Sequence, residues 1–358
     1  MRLRWSRART SGSTSPDVWE NGWVSDHSET PVELPDGWTT KVPDLDDLPA
    51  LLRLRAADKT PFEGSGKVDA DAITGEIAGP ASWTRQQLVA VDPDGDIRAW
   101  AIAHDRAAGR TLVYLYVDRT IAQAAEVAAG LYAWLEEQAR AMAELRGITE
   151  SHLDASPFAD DTVQREWLAA AEFTNRRTWL HMSRPVLPDE TVPPLREGVT
   201  IRPVETHENG MPVAADLQTV HQTLEESFQD HFNSYRESFP EFVQRLREDP
   251  GHRWDHWWLA YVDDTLPAGS LVASVLPANA AGVEGTYVEY IGVNRNARGR
   301  GVAKGLLHAV IGDAIERGRD RVSLEVDADS PTGADGLYKS MGWVTDYVTE
   351  SWHKHVTV

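Results

Sequence analysis

The chain has 358 residues, a formal net charge of -21 at pH 7 and no cysteine. The lack of cysteine excludes a disulfide framework, a catalytic thiol and a cysteine-ligated metal site. The negative charge argues against a nucleic-acid partner, because most of the surface would repel a phosphate backbone. It is compatible with a cationic substrate such as an amine, although it can equally serve solubility alone.

Residues 1–33 are predicted to form a flexible N-terminal arm. The opening is basic and then polar, and it lacks the apolar core of a signal peptide. The sequence also lacks the run of about 18 apolar residues that a membrane helix needs. We therefore expect a cytoplasmic protein with no membrane partner.

The rest of the chain repeats one plan of elements twice. Each copy is predicted to run strand, helices, hairpin, strand, helix, strand, helix, strand, with Asp-Pro-Asp-Gly as the turn of the first hairpin. The matching segments are 34–39 and 195–200, 87–103 and 256–275, 111–117 and 286–293, and 152–158 and 324–331. This pattern predicts an α/β (α+β) fold with a mixed sheet in each copy.

Two domains follow from the repeat. A chain of 358 residues is longer than the ~250–300 residues at which single cores usually stop growing. The proline-rich stretch 185–198 is the natural linker. We therefore expect an N-terminal domain over 34–184 and a C-terminal domain over 199–358.

The stretch "GVNRNARGRGVAKGLL", residues 292–307, combines glycines and arginines directly before an apolar helix pattern. A helix N-terminus presents unpaired N–H groups and the positive end of the helix dipole. Glycines allow a ligand to approach the backbone, and arginines add charge-assisted donors. The helix is predicted from Val302, with Gly318 at its C-terminal end. The stretch therefore predicts a phosphate-binding site.

This loop resembles a known signature. It is not a Walker loop or a dinucleotide fingerprint, because the required Gly-Lys-Ser/Thr and Gly-x-Gly-x-x-Gly spacings are missing. Arg298, Gly301 and Ala303 instead match the Arg/Gln-x-x-Gly-x-Gly/Ala signature of the GNAT superfamily of acyl-CoA-dependent N-acyltransferases. The chain is thus identified as resembling a tandem GNAT protein.

A second motif of that family is similar to residues 327–343, "DADSPTGADGLYKSMGW". Ser330 stands at the Asn-like position and is followed by Leu337-Tyr338 and by Gly342-Trp343. The spacing is one residue longer than the commonest form, which weakens the role carried over to Ser330.

The resemblance implies two domains of the GNAT type, each a mixed, mostly antiparallel sheet flanked by helices, with a splayed parallel strand pair. It also implies acetyl-CoA as co-substrate. Pantetheine would lie along Ile291, Gly292 and Val293, and Ser330 would add a contact. The pyrophosphate would lie against the loop residues, which are Arg298, Gly299, Arg300, Gly301, Val302 and Ala303.

Acyl transfer to an amine requires a base for the amine and a proton for the departing thiolate. Tyr338 matches the family's usual proton donor, and the alternative is a tyrosine that only packs. Glu289 is the candidate base, since alternation places it on one strand face with Ile291 and Val293. Relatives more often carry the acid two residues earlier, where Tyr287 stands and is expected to face the acceptor.

The acceptor side is predicted in residues 223–242. Relatives of this type carry an Asp-His-aromatic there, which Asp230, His231 and the following phenylalanine match, and Glu226 could attract a cation. A solvated acidic helix face is the alternative. The two histidines of "HRWDHWW" (252–258) lie on a predicted strand where they do not converge, so we expect no metal.

The first copy lacks the glycine-rich loop. Its equivalent turn, "VDRTIAQAAEV" (117–127), keeps Thr120 as a helix cap but has no Arg-x-x-Gly-x-Gly. We expect one active C-terminal domain that acetylates a small amine, and a cationic amine is one option. The protein is expected to be a monomer or a homodimer. The alternatives are acetylation of a cysteinyl amine, as in mycothiol synthase, and a non-catalytic acyl-CoA sensor.

Overall fold

The computed structural model describes residues 32–63, 67–106, 109–228, 237–263, 265–330 and 333–358. The predicted arm, residues 1–33, lies outside these ranges except for its last two residues. Within the described ranges, no helix has both the length and the apolarity needed to cross a bilayer.

Two halves of the chain contain the same elements in the same order, which confirms the predicted repeat. The first half contains β1 (Thr39–Lys41), α1 (Leu48–Glu63), α2 (Ala70–Ala78), β2 (Arg85–Val91), β3 (Ile97–Asp105), β4 (Arg110–Val117), α3 (Ala124–Arg146), β5 (Glu150–Ala155), α4 (Thr162–Ala170) and β6 (Thr174–Pro185). The second half contains β7 (Val199–Pro203), α5 (Ala214–Ser227), α6 (Phe239–Leu246), β8 (His252–Val262), β9 (Leu266–Leu276), β10 (Gly285–Val293), α7 (Val302–Glu316), β11 (Arg321–Asp327), α8 (Ala334–Ser340) and β12 (Val344–Thr357).

In the described ranges the strands form one mixed sheet of 12 strands, in the order β1-β2-β3-β4-β5-β12-β6-β11-β10-β9-β8-β7. The halves exchange their last strands. β6 pairs with β11 of the second half, β12 pairs with β5 of the first half, and β6 and β12 pair with each other at the centre. The predicted bounds 34–184 and 199–358 follow the repeat and stay a prediction, because these pairings cross them.

Apolar clusters lie under the long helices. In α7 the apolar residues Leu306, Leu307 and Val310 are fully buried. Burial of one such side chain contributes about 1.5–3 kcal/mol. Gly318 closes the helix as predicted, with φ 67° and its N–H bonded to the Ile315 carbonyl at 3.0 Å.

A gap opens between the parallel strands β10 and β11. Their register pairs Thr286–Val288 with Val322–Leu324, and over the described residues it extends no further. The rest of β10, through Val293, pairs with β9 on its other side. The splay that the resemblance implies is therefore present, directly before the glycine-rich loop.

Candidate active site

The glycine-rich loop places a helix N-terminus at the end of the splayed strand. After a short 3₁₀ turn over Arg295–Ala297, Gly299 and Gly301 adopt φ values of 79° and 89°. Gly301 is the residue before the first turn of α7. Glycine tolerates this left-handed backbone without strain. The first N–H groups of α7 therefore lie at the end of the gap, where an anion can meet them.

A cavity of about 260 Å³ lies over this loop. It brings together six of the predicted cofactor residues, namely Val293, Arg298, Gly299, Gly301, Val302 and Ala303. Arg196, Ala297, Lys304 and Leu337 complete its lining. Three cationic side chains and a helix N-terminus around one cavity are suited to a polyphosphate.

Arg196 is a cavity residue that sequence reasoning missed. It belongs to the linker, and its Nη1 donates to the Gly299 carbonyl oxygen at 3.2 Å. A Cβ on Gly301 would lie 2.6 Å from Arg196 Cδ, so the two residues pack closely. The contact spans 103 positions in sequence, and the motif offers no signal for it.

Arg300 lies elsewhere. Its guanidinium makes two hydrogen bonds to the Asp263 carboxylate, at 2.8 and 2.7 Å, and it is not among the residues that line the cavity. A phosphate contact from Arg300 stays a prediction and would compete with this exposed ion pair.

The strand before the loop is packed on both faces. Ile291 and Val293 contact the cluster under α7. Gly292 lies against α5, where an added Cβ would come within 2.9 Å of the Ser227 side chain. The missing side chain of Gly292 therefore allows α5 to approach, and a cofactor contact from Gly292 stays a prediction.

Glu289 occupies a bulge in β10. The register with β9 shifts between Val288 and Tyr290, and Glu289 Oε1 accepts a 2.7 Å hydrogen bond from Ser274 Oγ. Since Ser274 alternates with residues under α7, Glu289 faces away from Ile291 and Val293. The expectation that these three share a face is wrong, because the extra residue interrupts the alternation.

The surroundings of Glu289 favour its protonated form. Burial, above all, raises its pKa to about 7, and the neighbouring Asp249 carboxyl raises it further, while the Ser274 hydrogen bond and Arg245 oppose the shift. Glu289 also lines a second cavity, of about 320 Å³. A carboxyl with a pKa near neutrality at a cavity wall is suited to general-base catalysis.

Tyr338 and Ser330 lie on the far side of the gap. Tyr338, on α8, is 6% exposed and packs near Trp343, with ring centroids 6.0 Å apart. Burial raises the pKa of Tyr338 to about 12, so the phenol keeps its proton. Ser330 follows β11 and its backbone N–H bonds the Asp327 carbonyl at 3.2 Å. Their predicted roles stay predictions.

Two of the four predicted acceptor residues, Glu226 and Tyr287, lie within the described residues. Glu226 is exposed at the end of α5 and accepts a 3.0 Å hydrogen bond from Asn294 Nδ2. Tyr287 is partly buried beside Glu325 and Glu289, and burial raises its pKa well above the usual value. Asp230 and His231 lie outside the described residues. The described part of the chain contains no group of three or more His, Asp or Glu that could hold a metal ion.

The first half differs from the second half at two positions that the repeat makes equivalent. Its helix α3 begins at Ala124 without a side-chain cap, so the expectation that Thr120 caps it is wrong. At the end of α4 the Phe173 N–H bonds the Leu168 carbonyl, as the Trp343 N–H bonds that of Tyr338. Leu168 therefore stands where the second half has Tyr338, and the first half lacks this hydroxyl.

Comparison with known proteins supports the resemblance to the GNAT superfamily. Residues 218–343 match the family described as Acetyltransferase (GNAT) family. No curated protein sequence matches the chain significantly. A GCN5-related N-acetyltransferase from Sphaerobacter thermophilus is similar in structure, with 25% identity, a TM-score of 0.68 and coverage of 91% of this chain and 98% of that chain.

Two further structures share the fold. A tandem GNAT protein from the clavulanic acid biosynthesis pathway has 15% identity and a TM-score of 0.63, over 89% of this chain and 98% of that chain. A glucosamine N-acetyltransferase region of a fungal multi-domain protein has 14% identity and a TM-score of 0.63, over 90% of this chain and 38% of that one. Residues 218–343 therefore belong to the GNAT acetyltransferase family, in a chain with the fold of a tandem GNAT protein.

Proposed function

We propose that the protein is an acetyl-CoA-dependent N-acetyltransferase that acetylates the primary amine of a small, cationic acceptor by direct transfer. One observation carries the proposal. Strand β10 leads from Glu289, at one cavity, to the glycine-rich helix N-terminus at the other. Acyl transfer from a coenzyme A thioester requires a base for the acceptor and a binding site for the pyrophosphate of the coenzyme. Strand β10 connects the candidates for both.

The cofactor end is assigned to the loop. The N–H groups of the first turn of α7 and the side chains of Arg298 and Arg196 would pair the pyrophosphate oxygens. Each charge-assisted hydrogen bond of this kind contributes about 1.5–3 kcal/mol. The pantetheine arm would enter the gap between β10 and β11, where the backbone near Ile291 can bond it.

The chemical step uses two groups of the chain. Glu289 accepts a proton from the ammonium group of the acceptor, and the neutral amine nitrogen then forms a bond to the thioester carbonyl carbon. The carbon–sulfur bond breaks, and Tyr338 donates its proton to the departing thiolate. Because burial raises the pKa of Tyr338 to about 12, its phenolate is a strong base and takes the surplus proton from the amide nitrogen. Protonated Glu289 then releases its proton to solvent.

The test is turnover with a panel of amines, measured as release of the coenzyme A thiol. We expect turnover with at least one small amine, and loss of turnover when Arg298→Ala and Gly301→Asp are combined. Gly318→Ala is the matched control, because it imposes a similar positive-φ strain at the other end of α7.

Acetyl-CoA binding without turnover of any amine would contradict the proposal and favour the acyl-CoA sensor. Turnover confined to a cysteinyl amine would instead assign the activity of the mycothiol synthase alternative.

A further inference from the structure

The second cavity is built by both halves of the chain. The first half contributes Arg85 and His104 to its wall, and the second half contributes Glu289 and Asp249. Glu248 joins the halves beside the cavity, since its carboxylate accepts hydrogen bonds from Arg85 Nη1 at 2.7 Å and from Thr84 Oγ1 at 2.9 Å. A volume of about 320 Å³ lies at the low end of small-molecule sites.

His104 lines this cavity and contains a buried hydrogen-bond acceptor. The residue is 4% exposed, and its Nε2 lies 3.4 Å from the Glu248 carboxylate. Burial, above all, lowers the pKa of His104 to about 4, so the ring is neutral. With the proton on Nε2, facing the carboxylate, Nδ1 carries a lone pair.

That lone pair has no hydrogen-bond partner among the described residues, and Nδ1 is shielded from solvent. His252, from the second half, also lines the cavity. Its Nε2 is buried and also lacks a partner within the described ranges, and burial lowers its pKa to about 4. Buried polar atoms left unpaired are costly, so two of them at one cavity indicate a ligand with complementary groups.

We infer that this cavity binds an amine whose body carries hydroxyl groups, and that His104 of the first half accepts a hydrogen bond from one of them. The inference rests on the proposed function, because the amine is to be acetylated at Glu289. It also assigns a task to the first half, which supplies the residue that selects the acceptor.

The charges around His104 support a neutral donor. A carboxylate has no proton to offer to Nδ1, and an alkyl group would leave the lone pair unpaired. A second cation would approach the positive charges of Arg85 and Arg106, which also act on His104. A hydroxyl group meets these conditions, and the carboxyls of Glu289 and Asp249 are left for the ammonium end.

The experiment compares two amines of equal shape, 2-amino-1,3-propanediol and 3-aminopentane, which differ by hydroxyl in place of methyl. We expect kcat/KM to favour the diol at least about tenfold, because a site built for a hydroxyl rejects the analogue without it. Equal values of kcat/KM for the two amines, or a preference for 3-aminopentane, would overturn the inference. Turnover of the amines would still support the proposed function in that case.

Variants locate the effect. His104→Leu should reduce the diol preference about tenfold through KM, and His104→Asn should restore part of it, because its side-chain oxygen can take the place of Nδ1. His256→Leu is the matched control. His256 is also buried, its Nε2 has no hydrogen-bond partner within the described part of the chain, and it lies outside the cavity lining. A preference that survives His104→Leu would contradict the role of His104.

Measuring acetyl-CoA binding distinguishes a variant that fails to fold from one that has lost acceptor selectivity. Each variant should bind acetyl-CoA with unchanged affinity, which shows that it is folded. If neither amine is acetylated, the proposed function fails for them, and calorimetric titration with the same two amines decides the inference. Binding of the diol that His104→Leu weakens would support it, and no difference between the two amines would overturn it.

Discussion

The side-chain amide of Gln164 donates a 3.2 Å hydrogen bond to the carbonyl oxygen of Leu115. Leu115 is the first-half equivalent of Ile291, since each lies two residues before the final valine of its strand and that valine pairs with Ala99 or Gly269. The backbone acceptor assigned to pantetheine in the second half is therefore already bonded within the first half. We therefore expect the first half to bind acyl-CoA more weakly than the second half.

Replacement of Tyr338 by phenylalanine should lower kcat strongly and leave the affinity for acetyl-CoA nearly unchanged. The substitution keeps the buried ring and removes only the proton used in the transition state. Steady-state kinetics and a separate binding titration measure the two quantities. Tyr132→Phe, at a buried tyrosine of the first half, is the control. If the Tyr338 variant retained wild-type kcat, the residue would serve packing alone.

Turnover should depend on the ionisation of Glu289. Because its pKa is raised to about 7, the carboxyl is protonated below that pH and cannot act as a base. We expect kcat to fall as the pH is lowered through about 7. A profile of kcat against pH, at saturating substrates, measures the midpoint.

Ser274→Ala tests the origin of that midpoint. The Ser274 hydrogen bond lowers the pKa of Glu289, so its removal should move the midpoint to higher pH. Ser270→Ala, four residues away on β9, removes a hydroxyl that contacts the Val220 carbonyl instead and should leave the midpoint in place. Identical profiles for both variants would remove Glu289 from the role of base.

Cutting the linker should not separate the halves. A protease site introduced into residues 187–194, between β6 and β7, would give two fragments that share the exchanged strands. Since β6 lies between β12 and β11, and β12 lies between β5 and β6, the fragments should co-elute and still bind acetyl-CoA. Gel filtration after cleavage measures this, and elution as two separate folded fragments would contradict the exchange.

The sequence predicts the elements better than their partners. Hydrophobic periodicity and turn residues specify two copies of one element order, and the copies are confirmed. The exchange of β6 and β12 escaped prediction, because each final strand offers the same apolar alternation to the β5 of one half and the β11 of the other. Which partner it takes depends on the geometry of the whole sheet.

The site is predictable in part for a related reason. The glycine and arginine residues of the loop at Gly301 make it recognisable in the sequence, whereas Arg196 reaches the loop by a contact across 103 positions. The bulge at Glu289 is one extra residue in a strand, which leaves no mark on composition and turns the side chain to the other face. In the sequence His104 has the pattern of an ordinary strand residue. Its position at a cavity depends on the packing of the second half against the first.

The most direct test of the account is a calorimetric titration of the chain with acetyl-CoA. Among the described residues, the second half combines the glycine-rich helix N-terminus, Arg298 and the gap beside β10. The loss of several charge-assisted bonds of about 1.5–3 kcal/mol each should weaken a first-half site by at least ~10³-fold. We predict one acetyl-CoA per chain, abolished by Arg298→Ala combined with Gly301→Asp and unaffected by Gly318→Ala. Two bound molecules per chain, or one that survives the double variant, would contradict a single acyl-CoA site in the second half.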